Sequence, residues 1–330
     1  MAIQSRNFLS YRWLLRHCNQ SSPDDQEKGF TLIELLVAMI VGSLIIGSLL
    51  YLVVELLASN RREEVLTQTQ QDMRRAIDYV TRDLSEAVFV YADPATIASE
   101  LDIRPDDEPI LAFWRLDPVD TSDLPNDCSS YPVPTSTNNQ RAECNTLKIR
   151  QSAYTLVVYF ASDNSDDEIW EGPSKIVRYE LPKYRAASLS GSPPSLAQVG
   201  GYRDPTLGDT SFENWTVGPG ALGGNIATLT DFVDANIAGD VECPEDQGYI
   251  ATNTSTDNFF ACINTGVIID PDEEEDSEEV FRENRSVRVF LRGNATNNNA
   301  GFVTFSNYGR LPVLESEVLI RGVVQKLPDS

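Results

Sequence analysis

The chain has 330 residues and a formal net charge of −24, with one histidine, His17, and five cysteines. Arg6, Arg12, Arg16 and Lys28 outnumber Asp24, Asp25 and Glu27 by one in residues 1–29, so the remainder carries −25. Such a chain repels nucleic acid and anionic headgroups, which disfavours DNA or RNA binding. If residues 1–29 are removed, no imidazole remains for Ser-His-Asp or Cys-His catalysis or for a His-ligated metal.

Residues 1–29 begin polar and basic and turn acidic near Gly29. A secretory signal peptide places its apolar core ahead of the cleavage site, whereas here the apolar core follows the Gly29–Phe30 junction and is retained. The early arginines favour keeping this leader in the cytoplasm. Glu34 then precedes an uncharged apolar run, Leu35–Val54. At ~1.5 Å per helical residue this run spans the ~30 Å hydrocarbon layer. An ordinary single-pass anchor accounts for the run but not for Glu34. A carboxylate within lipid costs roughly 2.5–3.5 kcal/mol on insertion scales and calls for a partner.

Beyond the apolar run the helical pattern persists. From Leu66 onward Met73, Ile77, Val80, Leu84 and Val88 mark one apolar stripe, with Arg74, Arg75, Asp78, Arg82, Asp83 and Glu86 between them. The spacing suggests i to i+4 ion pairs Arg74–Asp78 and Arg82–Glu86. No proline lies between Phe30 and Tyr91, and Asp93-Pro94 is expected to end the helix. One helix from about Phe30 to about Tyr91 would be on the order of 90 Å long.

After Pro94 the texture is one of short strands and long loops. Strands are expected at Ile110–Leu116, Leu147–Gln151, Tyr154–Ala161, Lys175–Leu181, Phe259–Ile269, Ser286–Arg292 and Glu317–Val324. Ser188–Gly224, rich in glycine, proline and serine, reads as a long irregular loop. The expected fold class is α+β: a long N-terminal helix, transmembrane then amphipathic, packed on an antiparallel β-sheet domain.

Cys18 precedes the junction, which leaves Cys128, Cys144, Cys243 and Cys262. Four thiols in two local pairs suit an oxidising compartment. Of three connectivities, Cys128–Cys144 and Cys243–Cys262 is favoured because each closes a short segment; buried free cysteines are the alternative. In Asp270–Glu279 eight of ten residues are acidic. Asp270, Asp272, Glu274 and Asp276 are oxygen donors of the kind calcium takes, although the EF-hand pattern is absent and like-charge runs are usually solvated loops.

The string GFTLIELLVAMIVG from Gly29 resembles the class III signal of type IV prepilins and type II secretion pseudopilins. The resemblance implies cleavage after Gly29 by a membrane prepilin peptidase, methylation of Phe30, and Glu34 as the assembly carboxylate that pairs with a neighbour's new N-terminus. Gln70 to Leu84 is similar to the corresponding region of J-type pseudopilins and W-type minor pilins. The chain's size and Ser286–Gly293 (SVRVFLRG) are similar to cyanobacterial hormogonium polysaccharide secretion pseudopilins.

On that resemblance the expected organisation is a leader, residues 1–29, a filament-core helix, 30–58, its amphipathic continuation, 59–92, and an extracytoplasmic β-rich domain, 93–330. The protein would be a minor subunit, not an enzyme, single-pass in the plasma membrane until assembly, serving polysaccharide export and gliding. Its partners would be other pilins or pseudopilins, the peptidase and an inner-membrane assembly platform, with no cofactor beyond calcium. Two other readings of the anchored domain are a J-type subunit of protein secretion and a glycan-binding adhesin using Trp170, Tyr202 or Trp215. An anchored glycosidase needs two selected carboxylates, and no motif selects them.

Overall fold

The computed structural model describes residues 29–321 apart from 123, 134–138, 165–168, 190–193, 236–241, 245–247, 253–257, 265–285 and 296–308. The chain divides into two compact units between Arg61 and Arg62. In the first unit the helix α1, Leu32–Ser85, begins and runs unbroken to the boundary. Every described residue there is exposed except Gly42, which is intermediate. The two serines of the apolar run do not leave their hydroxyls unmet. Ser43 and Ser48 donate to the carbonyls of Ile40 and Ile45 at 2.8 and 2.9 Å, which removes the cost of a bare hydroxyl in hydrocarbon.

In the second unit α1 continues with one buried stripe, Met73, Ala76, Ile77, Val80 and Leu84. The stripe seats in a core shared by both β-sheets, against Phe113, Val157, Tyr159 and Ile176 of one and Phe259, Ala261, Val287 and Val289 of the other. The first sheet is antiparallel, in the order β1 (Ala87–Val90), β2 (Glu108–Pro118), β3 (Ser152–Asp163), β4 (Ser174–Pro182), β5 (Asn225–Val233). The second, also antiparallel, is β6 (Tyr249–Ala251), β7 (Phe259–Asn264), β8 (Ser286–Leu291), β9 (Leu314–Leu319). The α+β class with antiparallel sheets is thus established. The sheets are tied at one corner, where Val233 bridges Gly293 and buried Asp234 accepts from Asn294 Nδ2 at 2.9 Å and from the Arg310 guanidinium.

Three expectations are corrected. The helix ends at Ser85, not near Tyr91, because the β-branched and aromatic residues that follow pair with β2, placing Phe89 opposite Trp114 and Val90 opposite Phe113. Asp93-Pro94 therefore starts a helix instead of ending one. Asp93 caps α2, Pro94–Leu101, by accepting from the Ala95 N–H at 3.0 Å, and Pro94 takes the first helical position, where its missing donor costs nothing. Leu147–Gln151 is not a strand but the end of α3, Gln140–Arg150, whose buried face is Glu143, Cys144 and Leu147. That i, i+1, i+4 pattern fits a helix, and alternation over five residues was too short to distinguish the two periods.

The outer face of the first sheet, including Trp114, Leu156 and Phe160, is covered by α2 and by the loop up to Gly224, which buries Tyr202, Phe212 and Trp215. The loop is irregular but ordered by close backbone contacts. A side chain at Gly218 would lie 2.3 Å from the Tyr202 carbonyl oxygen, so glycine alone fits. Disulfides join Cys128 to Cys144 and Cys243 to Cys262, with Cα separations of 5.8 and 5.6 Å. The first staples α3 to the chain after β2, and the second joins the chain ahead of β6 to β7.

Candidate functional site

Gly29 and Phe30 lie outside the helix, and Phe30 is fully open to its surroundings at 82% exposure. A side chain at Gly29 would meet nothing within 4 Å. Thr31 closes the first turn of α1: its carbonyl accepts from the N–H groups of Glu34 and Leu35 at 3.1 and 3.2 Å, and its Oγ1 accepts from Glu34 N–H at 3.4 Å. Glu34 stands in that first turn, where the positive end of the helix dipole favours a carboxylate. The junction Gly29–Phe30 is therefore an accessible, non-helical peptide directly before a capped helix. Thr31 was not anticipated, although Thr-x-x-Glu ahead of an apolar run is itself a capping signal.

From Leu32 the helix carries a stretch long and apolar enough to cross a membrane, none of it buried in the protein. Its only charges near that stretch are Glu34 and Glu55 at the two ends. An all-round apolar helix is stable in lipid or against other apolar helices, and not in water.

The charged half of α1 is organised differently from the expected i to i+4 ladder. It carries an i to i+3 ion pair, Asp72–Arg75, at 3.4 Å and exposed. Asp83 is not on the solvated face at all: three residues after Val80, it falls on the apolar stripe and is buried. There it accepts from Tyr159 Oη at 2.7 Å, from Arg178 Nε at 2.8 Å and from the Arg115 guanidinium. Burial works against the charge on Arg178, but the bonds to Asp83 prevail and push its pKa further up. Burial and the same carboxylate push the Tyr159 phenol up, so it stays a donor.

A second buried cluster lies beside the Cys128–Cys144 disulfide. Lys183 Nζ meets Glu143 Oε2 and Asp204 Oδ2, each at 2.9 Å, and Tyr184 Oη donates to Glu143. Burial opposes ionisation of Asp204, but hydrogen bonds from Lys183 and Thr206 outweigh it and hold the carboxyl below the usual carboxylate range. Its contribution to stability is complete above the unfolded pKa of about 4 and is lost as pH falls through the lower folded value. Every carboxylate of the two clusters is met by a cation or a hydroxyl, which is the chemistry of structural pairs and not of an acid working beside a base.

Among the described residues no group of three or more His, Cys, Asp or Glu side chains is placed to hold a metal ion. The calcium candidates Asp270, Asp272, Glu274 and Asp276 lie outside the described residues. Of the aromatics expected to meet glycans, Tyr202 and Trp215 are buried at 2% and 3% exposure and belong to the core under the glycine-rich loop. Their polar ends are used internally: Tyr202 Oη donates to the Tyr154 carbonyl at 2.9 Å and Trp215 Nε1 to the Arg203 carbonyl at 2.7 Å. Only Trp170 of the three remains partly exposed.

Residues 25–50 match the family model described as the prokaryotic N-terminal methylation motif. No curated protein and no solved structure matches the chain. The matched segment contains the Gly29–Phe30 junction, Glu34 and the start of the apolar helix. The chain thus carries a type IV pilin-like signal, which supports a pilin or pseudopilin subunit.

Proposed function

We propose that this chain is a minor pseudopilin or pilin that is cleaved after Gly29, methylated on Phe30 and assembled into a type IV pilus-like filament. The observation that carries this is the methylation motif at residues 25–50, set directly on an apolar helix that is preceded by an accessible Gly29–Phe30 peptide. The domain order follows: leader 1–29, filament-core helix 30–58, amphipathic continuation 59–92, and extracytoplasmic domain 93–330. The two disulfides favour an oxidising compartment for that domain.

Cleavage makes the Phe30 amine a cation. The Glu34 carboxylate of an adjacent subunit then neutralises it within a bundle of apolar helices. In low dielectric the pair offsets two desolvation costs, whereas either charge alone is strongly unfavourable. Pairing between subunits also fixes the axial step of one helix against the next. The partners are other pilins or pseudopilins, the prepilin peptidase and an inner-membrane assembly platform. The resemblance of SVRVFLRG and of the overall size favours export of polysaccharide with gliding as the filament's task over protein secretion.

Gly29→Asp tests the processing step. Because a side chain there meets nothing, the fold should be unchanged and any effect should report recognition by the peptidase. Immunoblotting in the native host should show a product heavier by the leader and no mature form. Processing at the wild-type level would contradict the assignment of the junction.

A further inference from the structure

We propose that the groove between α1 and the edge strand β5 binds a neutral oligosaccharide, with Tyr79 and Trp170 as its stacking surfaces. This goes beyond the filament role and does not depend on it. The groove is a cavity of about 600 Å³, lined by Asp72, Arg75 and Tyr79 of α1, by Trp170 and Glu171, and by the end of β5. That volume lies in the ~300–1,000 Å³ range of small-molecule sites.

Each of the two rings has a cation near it. The Arg178 guanidinium lies 5.8 Å from the centre of the Tyr79 ring and the Lys175 ammonium 6.0 Å from that of Trp170. Both cations are buried, and neither lines the groove. Each ring thus has a buried cation within cation–π distance that does not line the groove, while Tyr79 keeps 45% of its surface exposed and Trp170 is partly exposed.

The turn carrying Trp170 is clamped. Asp231 Oδ2 accepts from the N–H groups of Glu171 and Gly172 at 2.9 and 3.0 Å, and its Oδ1 accepts from Asn164 Nδ2 at 2.7 Å. A side chain at Gly172 would lie 2.3 Å from the Phe232 nitrogen, so the turn rests backbone to backbone on the end of β5. Phe232 itself adopts φ of 58°, a left-handed conformation that is costly for an aromatic residue. The carboxylate of Asp231 is therefore spent on positioning Trp170, and the strain at Phe232 is retained in the same place.

The chemistry selects the ligand class. Aromatic faces accept the C–H face of a pyranose ring, and short polar side chains at the rim accept and donate to its hydroxyls. The Asp72–Arg75 pair at the rim is exposed and offers both kinds of group. Asp72, Asp231 and Glu171 outnumber Arg75 around the cavity, and the whole chain carries −24. That field disfavours an anionic polymer and leaves an uncharged one.

The test is titration of the full chain, solubilised in detergent, with maltohexaose, cellohexaose and chitohexaose, and with a hexagalacturonate as the anionic comparison. Binding is read by calorimetry and by tryptophan fluorescence. At least one neutral hexaose should bind with a dissociation constant below about 10 mM. Trp170→Ala and Tyr79→Ala should each weaken that binding by about tenfold or more, Tyr79→Phe should restore it, and unchanged thermal unfolding should show that the variants are folded. Trp170→Ala should still be processed and recovered with filaments. The proposal is overturned if no neutral hexaose binds, if binding survives both alanine variants, or if only the galacturonate binds.

Discussion

Replacing Asp83 with alanine should destabilise the β-domain by about 3–5 kcal/mol, among the largest effects available from one side chain. The change removes from α1 a carboxylate that meets both Arg115 and Arg178, while the Arg178 guanidinium stays buried on β4 and the Arg115 guanidinium half-buried on β2. Glu180 and Asp117 lie alongside, on β4 and β2, and neutralise part of what is left. They are on the sheet itself, so they cannot hold the helix to it. Tyr159 also loses its acceptor. The loss should appear as a drop in the thermal midpoint on the order of 10 °C, followed by tryptophan fluorescence of the solubilised chain. Asp83→Asn, which keeps an acceptor for Tyr159 and loses the charge, should fall between wild type and alanine. A midpoint unchanged in Asp83→Ala would show that the cluster does not join α1 to the sheet.

Glu34→Ala should leave the chain inserted and cut but remove it from filaments. Deleting a charge beside an apolar segment favours insertion, if it changes it at all. The start of the helix should also survive, because Thr31 caps it through the backbone N–H of residue 34 and not through the Glu34 side chain. On the proposed assembly, what disappears is the counter-charge for a neighbour's amine. An uncompensated buried charge is worth about 3–5 kcal/mol, well over a tenfold loss in assembly. Recovery of the variant in sheared filaments, compared with its amount in membranes, measures this. Wild-type recovery would remove Glu34 from the assembly step.

The parts of the fold legible in the sequence were those with an unambiguous period. The run Leu35–Val54 lies in α1 as its length and composition require, and the stripe Met73, Ile77, Val80 and Leu84 is buried as its spacing requires. Strands rich in apolar and β-branched residues, such as Tyr154–Ala161 and Lys175–Leu181, fall within β3 and β4. Val88 continued the helical stripe by number but lies in β1, because pairing with β2 outweighs local propensity. Strand β5 was missed because it is an edge strand: Asn225, Ile226 and Ala227 are all exposed, so no face of its first half is marked as core. Asp83 was misplaced because a charge in an apolar stripe is read as solvated unless its partners are known, and Arg115 and Arg178 are 32 and 95 residues away. The same is true of Trp215, whose burial depends on a loop fold that no periodicity encodes.

At the proposed processing site the sequence said more than the structure adds. Gly29, Phe30 and Glu34 were singled out from one short string, since a signal read by a peptidase must be local in sequence. The structure contributes Thr31 and the accessible junction. In contrast, the groove of Tyr79 and Trp170 joins residues from α1, a turn and an edge strand, and no linear motif marks it.

The most direct measurement is the mass of the N-terminal peptide of the chain extracted from its native membranes or filaments. The account predicts a peptide that begins at Phe30 and is heavier than the unmodified sequence by one methyl group. A functional chain that still begins at Met1 would contradict it.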